Sequence, residues 1–175
     1  MEVYVTIGGQ GTRLKAISPL DKQNLYYKDK KIIDWIFQIV PTAQLLGNKK
    51  TKSRKETLLE IENKKDIVII DCDIIPFGFI PHEFSNNTVY VFESSKLKYG
   101  SVIIKDNKIV ESDEKNSISR IKCSGIYCIK NVKDLLESMK NDNSLVSGMI
   151  GADVILENTF MRFGDVEDYY ESIAK

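Results

Sequence analysis

The sequence has only one histidine and three cysteines, and it contains no long apolar segment. Without cysteines at metal-ligand spacing or a second histidine, a zinc site is not expected. No run approaches the ~18 apolar residues of a membrane span, and no charged start with an apolar run suggests a secretory signal. We therefore expect a cytoplasmic, reduced protein without a membrane partner, in which Cys72 and Cys128 are small buried apolar residues.

A surplus of charge of either sign is also lacking, because Lys+Arg and Asp+Glu both number 25. The composition therefore gives no electrostatic basis for binding nucleic acid or an anionic membrane. The basic run of residues 49–55 is a local exception, either a solvated surface or a place for a triphosphate or a phosphorylated substrate. With 175 residues, of which 42% are apolar, the chain suits a single domain over residues 1–175 with a substantial core.

Apolar residues follow strand spacing in six segments: 3–7, 67–71, 88–93, 101–105, 108–111 and 121–129. The first two are nearly continuous in apolar residues, as in strands buried on both faces of a parallel sheet. Asp106-Asn107 predicts a tight hairpin turn. Helical spacing recurs in four segments: 32–39, 53–63, 131–139 and 166–174. This alternation of strands and helices predicts an α/β fold.

A glycine-rich turn follows the first strand and runs Gly8-Gly9-Gln10-Gly11-Thr12-Arg13-Leu14. Glycines in such a turn let backbone N–H groups approach a phosphate chain, because they lack a Cβ and tolerate positive φ. Thr12 adds a hydroxyl, and Arg13 adds a planar cation that suits phosphate oxygens. The turn is not a Walker motif or a dinucleotide fingerprint, since it has neither G-K-[ST] nor the last glycine of G-x-G-x-x-G. Alone, it is equally a simple strand-to-loop turn.

Residues 1–36 together resemble the opening of the nucleotidyltransferases that activate sugar phosphates and related phosphorylated alcohols. That family begins with a strand, G-G-x-G-T-R-L, and later P-K-x-L and G-K-P-hydrophobic-I segments. Lys22 falls on the family lysine and residues 30–33 on the last segment, whereas Asp21 and Lys31 stand where prolines are usual. The resemblance implies a Rossmann-like three-layer α/β/α fold with a mostly parallel central sheet, of the nucleotide-diphospho-sugar transferase type.

The resemblance also implies a reaction, in which an NMP group passes from an NTP to a small phosphorylated acceptor and pyrophosphate is released. Backbone donors of the nucleotide site would come from Gly8, Gly9 and Gly11, with Thr12 beside them. Arg13 and Lys22 would be the catalytic cations that hold the triphosphate. The region between residues 36 and 66 is shorter than in relatives, with only residues 38–44 as a short strand and loop. The nucleotide pocket is therefore either reduced, even to a non-catalytic binding site, or completed by another subunit of a homo-oligomer.

Two carboxylates, Asp71 and Asp73, end the apolar run of residues 67–71. Ligands of open α/β sheets bind at the carboxyl ends of strands, and Mg²⁺ needs only one or two carboxylates beside phosphate oxygens. In the resembling family, the last Asp of this motif holds Mg²⁺, which corresponds to Asp73; Asp71 points the other way and ranks second. Asp-x-Asp also occurs in metal-dependent nucleotide-sugar glycosyltransferases, so that reaction is an alternative.

The second metal ligand of the family lies near the C terminus, where residues 160–170 fit its pattern loosely. One register makes Asp165 the ligand. The other register puts Arg162 where the acid should be, which would remove a metal oxygen and alter the chemistry. Asp165 could instead be only the N-cap of the last helix, because Asp168 follows three residues later.

The substrate side is indicated by residues 120–129, which resemble a family strand with glycine followed by a hydrophobic residue and Tyr or Phe. Gly125 would let the acceptor approach the backbone, and Tyr127 would be a pocket wall or a core residue. Residues 52–58 resemble the R-x-x-S-V segment of cytidylyltransferases, which favours CTP and makes Arg54 a nucleotide-binding residue. From the resemblance alone, we expect a role in surface polysaccharide or lipid-linked glycan assembly.

Overall fold

The computed structural model describes residues 1–7, 20–47, 53–114, 116–139 and 144–174. Its strands are β1 (Glu2–Thr6), β2 (Tyr26–Tyr27), β3 (Lys30–Lys31), β4 (Gln44–Leu46), β5 (Lys65–Asp71), β6 (Ile74–Ile75), β7 (Thr88–Glu93), β8 (Ser101–Lys105), β9 (Lys108–Asp113), β10 (Ile121–Asn131), β11 (Asp153–Leu156) and β12 (Met161–Arg162). Its α-helices are α1 (Ile32–Ile39), α2 (Arg54–Leu59), α3 (Val132–Ser138) and α4 (Val166–Ile173). The predicted α/β fold and the predicted helices are confirmed, although α2 ends earlier than expected. In the region between residues 36 and 66, α1 continues to Ile39. The short strand of this region is β4, which lies later in the chain than the strand and loop predicted at residues 38–44.

Eight of the strands form one sheet in the order β4-β1-β5-β10-β7-β11-β9-β8. β1 pairs in parallel with β4 and β5, and β7 pairs in parallel with β11. The other pairs of this sheet among the described residues are antiparallel. The sheet is thus mixed, and the prediction of a mostly parallel sheet is wrong. The prediction failed at β10, which is antiparallel to both neighbours but is as fully buried as a parallel strand. The apolar pattern of such a strand carries no information on its direction.

Both faces of the sheet are covered, as the alternation of side chains along β5 shows. Ile67 and Ile69 join one buried apolar cluster, whereas Val68 and Ile70 join another. Residues of α2 and α3 pack into the first cluster, and residues of α1 pack into the second. Burial of each large aliphatic side chain contributes about 1.5–3 kcal/mol, so β5 is a firmly held support for the residues at its end.

The hairpin between β8 and β9 turns at Asp106 and Asn107, whose φ values are +50° and +59°. Two successive left-handed residues are what a two-residue type I′ turn requires. The predicted turn is confirmed. Within the described ranges, the longest helices have eight residues, and none is long and apolar enough to cross a membrane.

A small second sheet brings the C-terminal segment to the end of β5. β6, which follows Asp73 directly, pairs antiparallel with β12, and Arg162 lies opposite Ile74. The backbone N–H of Phe163 donates to the carbonyl oxygen of Asp73 at 2.8 Å. Residues from distant parts of the chain therefore meet beside the carboxyl end of β5.

Candidate functional site

A polar cleft of about 620 Å³ lies where β5 ends. The basic side chains that line it are Lys22, Arg54, Lys98 and Arg162. The carboxylates that line it are Asp71, Asp73 and Glu114. Such a cleft at the carboxyl end of a strand is the usual ligand site of an open α/β sheet, and clustered cations favour anionic ligands. The cleft also brings together predicted residues from four parts of the chain: Lys22, Arg54, Asp73, Gly125 and Tyr127.

Lys22 and Asp73 form an ion pair in the cleft, with Nζ 2.6 Å from Oδ2. The charge of Asp73 raises the pKa of Lys22. Burial alone would raise the pKa of Asp73, but the charge and hydrogen bond of Lys22 hold it below its ordinary value. Both side chains are therefore charged at neutral pH.

Asp71 binds Arg54, although the sequence ranked it behind Asp73. The distance from Arg54 Nη2 to Asp71 Oδ2 is 2.5 Å, and Thr6 Oγ1 donates to Asp71 Oδ1 at 3.1 Å. Burial raises the pKa of Asp71, and the charge of Arg54 opposes that shift. Both oxygens of Asp71 are thus bound, Oδ2 by Arg54 and Oδ1 by Thr6.

Arg54 is the first residue of α2, and the cap of that helix helps to fix it. Ser53 Oγ accepts a hydrogen bond from the Glu56 N–H at 3.2 Å, as an N-cap does. Arg54 Nη1 donates to the Tyr127 hydroxyl at 3.4 Å, and the guanidinium lies 5.9 Å from the centre of the Tyr127 ring. Tyr127 itself is buried, so it is both a core residue and a wall of the cleft.

Gly125 has a structural reason to be glycine beyond the predicted approach of the acceptor. Its φ is +93°, and a Cβ at this position would lie 2.9 Å from Asp71 Oδ2 and 3.1 Å from Ile74 Cγ1. The register of β10 against β7 shifts between Cys123 and Tyr127, so a bulge turns the chain here. Gly125 leaves the room that the Asp71 carboxylate occupies, and contact with an acceptor stays a prediction.

Asp165 caps α4, because its Oδ1 accepts the Asp168 N–H at 3.0 Å. Its Oδ2 lies 2.5 Å from Lys98 Nζ. A Cβ at the preceding residue, Gly164, would lie 3.1 Å from Asp168 Oδ2 and 3.9 Å from Asp73 Oδ2. The helix cap offered as an alternative by the sequence is therefore present, and metal binding by Asp165 stays a prediction.

A basic and acidic cluster beside the cleft was not found by sequence reasoning. Lys96 and Lys98 both contact the buried Asp168 carboxylate, at 3.0 and 2.9 Å, and the Tyr99 hydroxyl donates a short hydrogen bond to it. The only local signal is the pair of lysines that follows β7, which resembles many solvated loops. The predicted residues of the glycine-rich turn, Gly8, Gly9, Gly11, Thr12 and Arg13, lie outside the described residues, as do residues 48–52.

Solved nucleotidyltransferase structures superpose on almost the whole chain. CTP:phosphocholine cytidylyltransferase from Streptococcus pneumoniae aligns over 99% of this chain and 97% of its own, with a TM-score of 0.78 and 12% identity. The nucleoside-diphosphate-sugar pyrophosphorylase of Vibrio cholerae RC9 aligns over 98% and 100%, with a TM-score of 0.71 and 14% identity. The inositol-1-phosphate CTP transferase of T. maritima aligns over 99% and 94%, with a TM-score of 0.70 and 13% identity.

The chain has the nucleotidyltransferase fold. No protein-family model matches it, and no curated protein sequence is significantly similar to it. The similarity is therefore one of three-dimensional structure, and it extends beyond residues 1–36, which carry the sequence resemblance.

Proposed function

We propose that the protein transfers an NMP group from an NTP to a sugar phosphate or a similar small phosphorylated acceptor and releases pyrophosphate. The observation that carries the proposal is the Lys22–Asp73 pair in a cleft at the end of β5. Lys22 and Asp73 match two separate family motifs and are far apart in sequence. In the fold, Lys22 Nζ lies 2.6 Å from Asp73 Oδ2. The superposed structures are those of nucleotidyltransferases and a pyrophosphorylase, which supports the same reaction.

The proposed reaction needs no protein nucleophile. An oxygen of the acceptor phosphate attacks the α-phosphorus of the NTP and forms a new P–O bond. The bond from the α-phosphorus to the bridging oxygen breaks, and pyrophosphate leaves with the electron pair. Such transfers depend on positioning and on neutralising charge. Lys22 and Arg13 neutralise the triphosphate, and the residues of the glycine-rich turn donate hydrogen bonds to it.

Mg²⁺ is the proposed cofactor, with Asp73 as its main protein ligand and Asp165 as the second. A single carboxylate suits Mg²⁺ when phosphate oxygens and water supply the other ligands, so the Asp73 carboxylate fits. Both oxygens of Asp165 already have partners, and the described residues contain no group of three or more His, Cys, Asp or Glu able to hold a metal. The proposed site therefore depends on the phosphates of the NTP. When bound, Mg²⁺ supplies charge neutralisation at the reacting phosphates.

CTP is the proposed nucleotide, with Arg54 among its ligands and Gly125 and Tyr127 on the acceptor side. The position of Arg54 in the cleft supports this assignment. Two of the superposed structures are also those of CTP-dependent enzymes. We further propose that the protein acts in the cytoplasm, in surface polysaccharide synthesis, as a homo-oligomer that completes the nucleotide pocket. The glycosyltransferase alternative is less favoured, because both oxygens of Asp71 already have partners in Arg54 and Thr6.

The proposal is tested by pyrophosphate release with Mg²⁺, each of the four NTPs separately, and a panel of sugar, alditol and amino-alcohol phosphates. We expect release with one NTP and one acceptor, and its loss in Asp73→Ala. Asp134→Ala is the matched control, because Asp134 is an exposed residue of α3, outside the cleft. Nucleotide binding without release from any pair would contradict the proposal in favour of a non-catalytic binding protein.

A further inference from the structure

Arg162 is a cleft residue that the proposed reaction has not yet used. It lies on β12 opposite Ile74, which follows Asp73 directly. It lines the cleft on one side and, on the other, a smaller cavity of about 250 Å³ that also borders Phe92 and Asp168. Arg162 is therefore part of the wall that separates the cleft from this smaller cavity.

The hydrogen bonding of the Arg162 guanidinium is incomplete. One face lies 3.5 Å from the centre of the Phe92 ring, and Nη1 donates to the Phe160 carbonyl oxygen at 2.9 Å. Nε and Nη2 are buried, and neither has a hydrogen-bond partner among the described residues. Burial lowers the pKa of Arg162 to about 10, so the group still carries its charge at neutral pH. Two buried charged donors without acceptors are costly unless a ligand supplies the acceptors.

The neighbouring carboxylates are committed to other cations. Asp73 pairs with Lys22, Asp165 pairs with Lys98, and Asp168 binds Lys96, Lys98 and the Tyr99 hydroxyl. Within the part of the chain that the structure describes, no carboxylate forms an ion pair with Arg162. The charges of Asp168 and Glu157 act on Arg162 and raise its pKa, but neither acid forms an ion pair with it.

The unpartnered atoms have the geometry of an oxyanion binder. Nε and Nη2 form one edge of the planar guanidinium, and their N–H bonds point the same way, as bidentate binding of two phosphate oxygens requires. Gly164, between Arg162 and Asp165, also lines the cleft. Arg162 lines the same cleft as the Lys22–Asp73 pair.

We infer that Arg162 binds the phosphate of the acceptor through Nε and Nη2 and holds it in the cleft that Asp73 also lines, for attack on the nucleotide. The inference rests on the proposed function for the identity of the anion, but the anion site itself does not. It also gives a reason for a cation at the position where one register of the C-terminal motif expects an acid. At this wall of the cleft, the acceptor would be recognised by direct charge pairing.

The test uses inorganic phosphate as the probe, titrated by calorimetry into the protein and three variants. Arg162→Gln removes the charge and Arg162→Lys keeps it without the planar fork. Arg120→Gln is the matched control, since Arg120 is 74% exposed and lies outside the cleft. We expect Arg162→Gln to weaken phosphate binding by about tenfold to a hundredfold, Arg162→Lys to give an intermediate value, and Arg120→Gln to bind like the unmodified protein.

Kinetics separate this role from a purely structural one. Arg162→Gln should raise the KM of the acceptor by a similar factor while the KM of the NTP changes little. Thermal melting checks the fold, and if Arg162→Gln does not fold, the titration of Arg162→Lys decides. Unchanged phosphate affinity in the Arg162 variants, or no binding of phosphate by the unmodified protein, would overturn the inference. Binding that depends on Arg162 without turnover of any NTP would instead contradict the proposed function and leave the anion site standing.

Discussion

The two walls of the cleft differ in whether their charged side chains form ion pairs. At the end of β5, each carboxylate has its own cation: Asp71 holds Arg54, and Asp73 holds Lys22. On β12, Arg162 carries a charge in a partly buried place with no acid against it among the described residues. The β5 wall is therefore complete without a ligand, whereas the β12 wall needs an anion to complete it. The comparison suggests that the first wall is preorganised for the triphosphate and that the second recognises the other substrate.

The largest effect that tests this comparison is expected from Lys22→Ala. Under the proposed function, the variant lacks the cation that meets the triphosphate, and Asp73 loses its partner. We expect turnover in the pyrophosphate-release assay to fall about a thousandfold, the scale of losing one electrostatic donor to a developing charge. Lys105→Ala, an exposed change on β8, is the control. Turnover of Lys22→Ala within about tenfold of the unmodified protein would be incompatible with a triphosphate site on this wall.

A second experiment asks whether the two carboxylates of β5 differ as their partners suggest. Asp71→Asn keeps the size of the side chain but removes the charge that fixes Arg54 and one of the two oxygens that accept from Thr6 and Arg54. We expect the KM of the NTP to rise about tenfold with kcat little changed, as for loss of a charge-assisted hydrogen bond. Asp134→Asn on the surface of α3 controls for the change of net charge. A collapse of kcat in Asp71→Asn, as expected for Asp73, would mean that both acids hold the metal and would favour the glycosyltransferase alternative.

The same contrast explains which parts of the site could be predicted from the sequence. Asp73 and Lys22 were predictable because each lies in a local motif, an apolar run that ends in acids and a lysine at a fixed distance from the glycine-rich turn. The partners of Asp71 were not, because Thr6 and Arg54 reach it from other elements of the fold. Arg162 reaches the cleft only through the pairing of β12 with β6, two short strands distant in sequence, which no local pattern encodes.

The fold, like the site, has parts that the sequence predicts and parts that it does not. Apolar periodicity located most of the long strands and all four α-helices, because the buried face of a strand or the buried stripe of a helix determines the spacing of its apolar residues. It did not reveal that β10 runs against β5 and β7, because a strand buried on both faces has the same composition in either direction. Asp165 shows a third case, in which one residue pattern fits a helix cap and a metal ligand equally well.

The smallest effect, and the most direct test of how tightly the β5 wall is built, concerns stability. Gly125 and Gly151 have similar φ values, +93° and +84°, but a Cβ would contact Asp71 Oδ2 only at Gly125, whereas nothing lies within 4 Å of one at Gly151. Gly151→Ala should therefore lower the free energy of unfolding by about 1 kcal/mol through left-handed backbone strain alone. Gly125→Ala should lower it by a further ~1–3 kcal/mol, because the Asp71 carboxylate must move or Arg54 must lose its partner. Urea unfolding of both variants measures the difference. Equal losses of stability in the two variants would mean that Asp71 can move at no cost in free energy. The β5 wall would then not be preorganised, and its distinction from the β12 wall would be refuted.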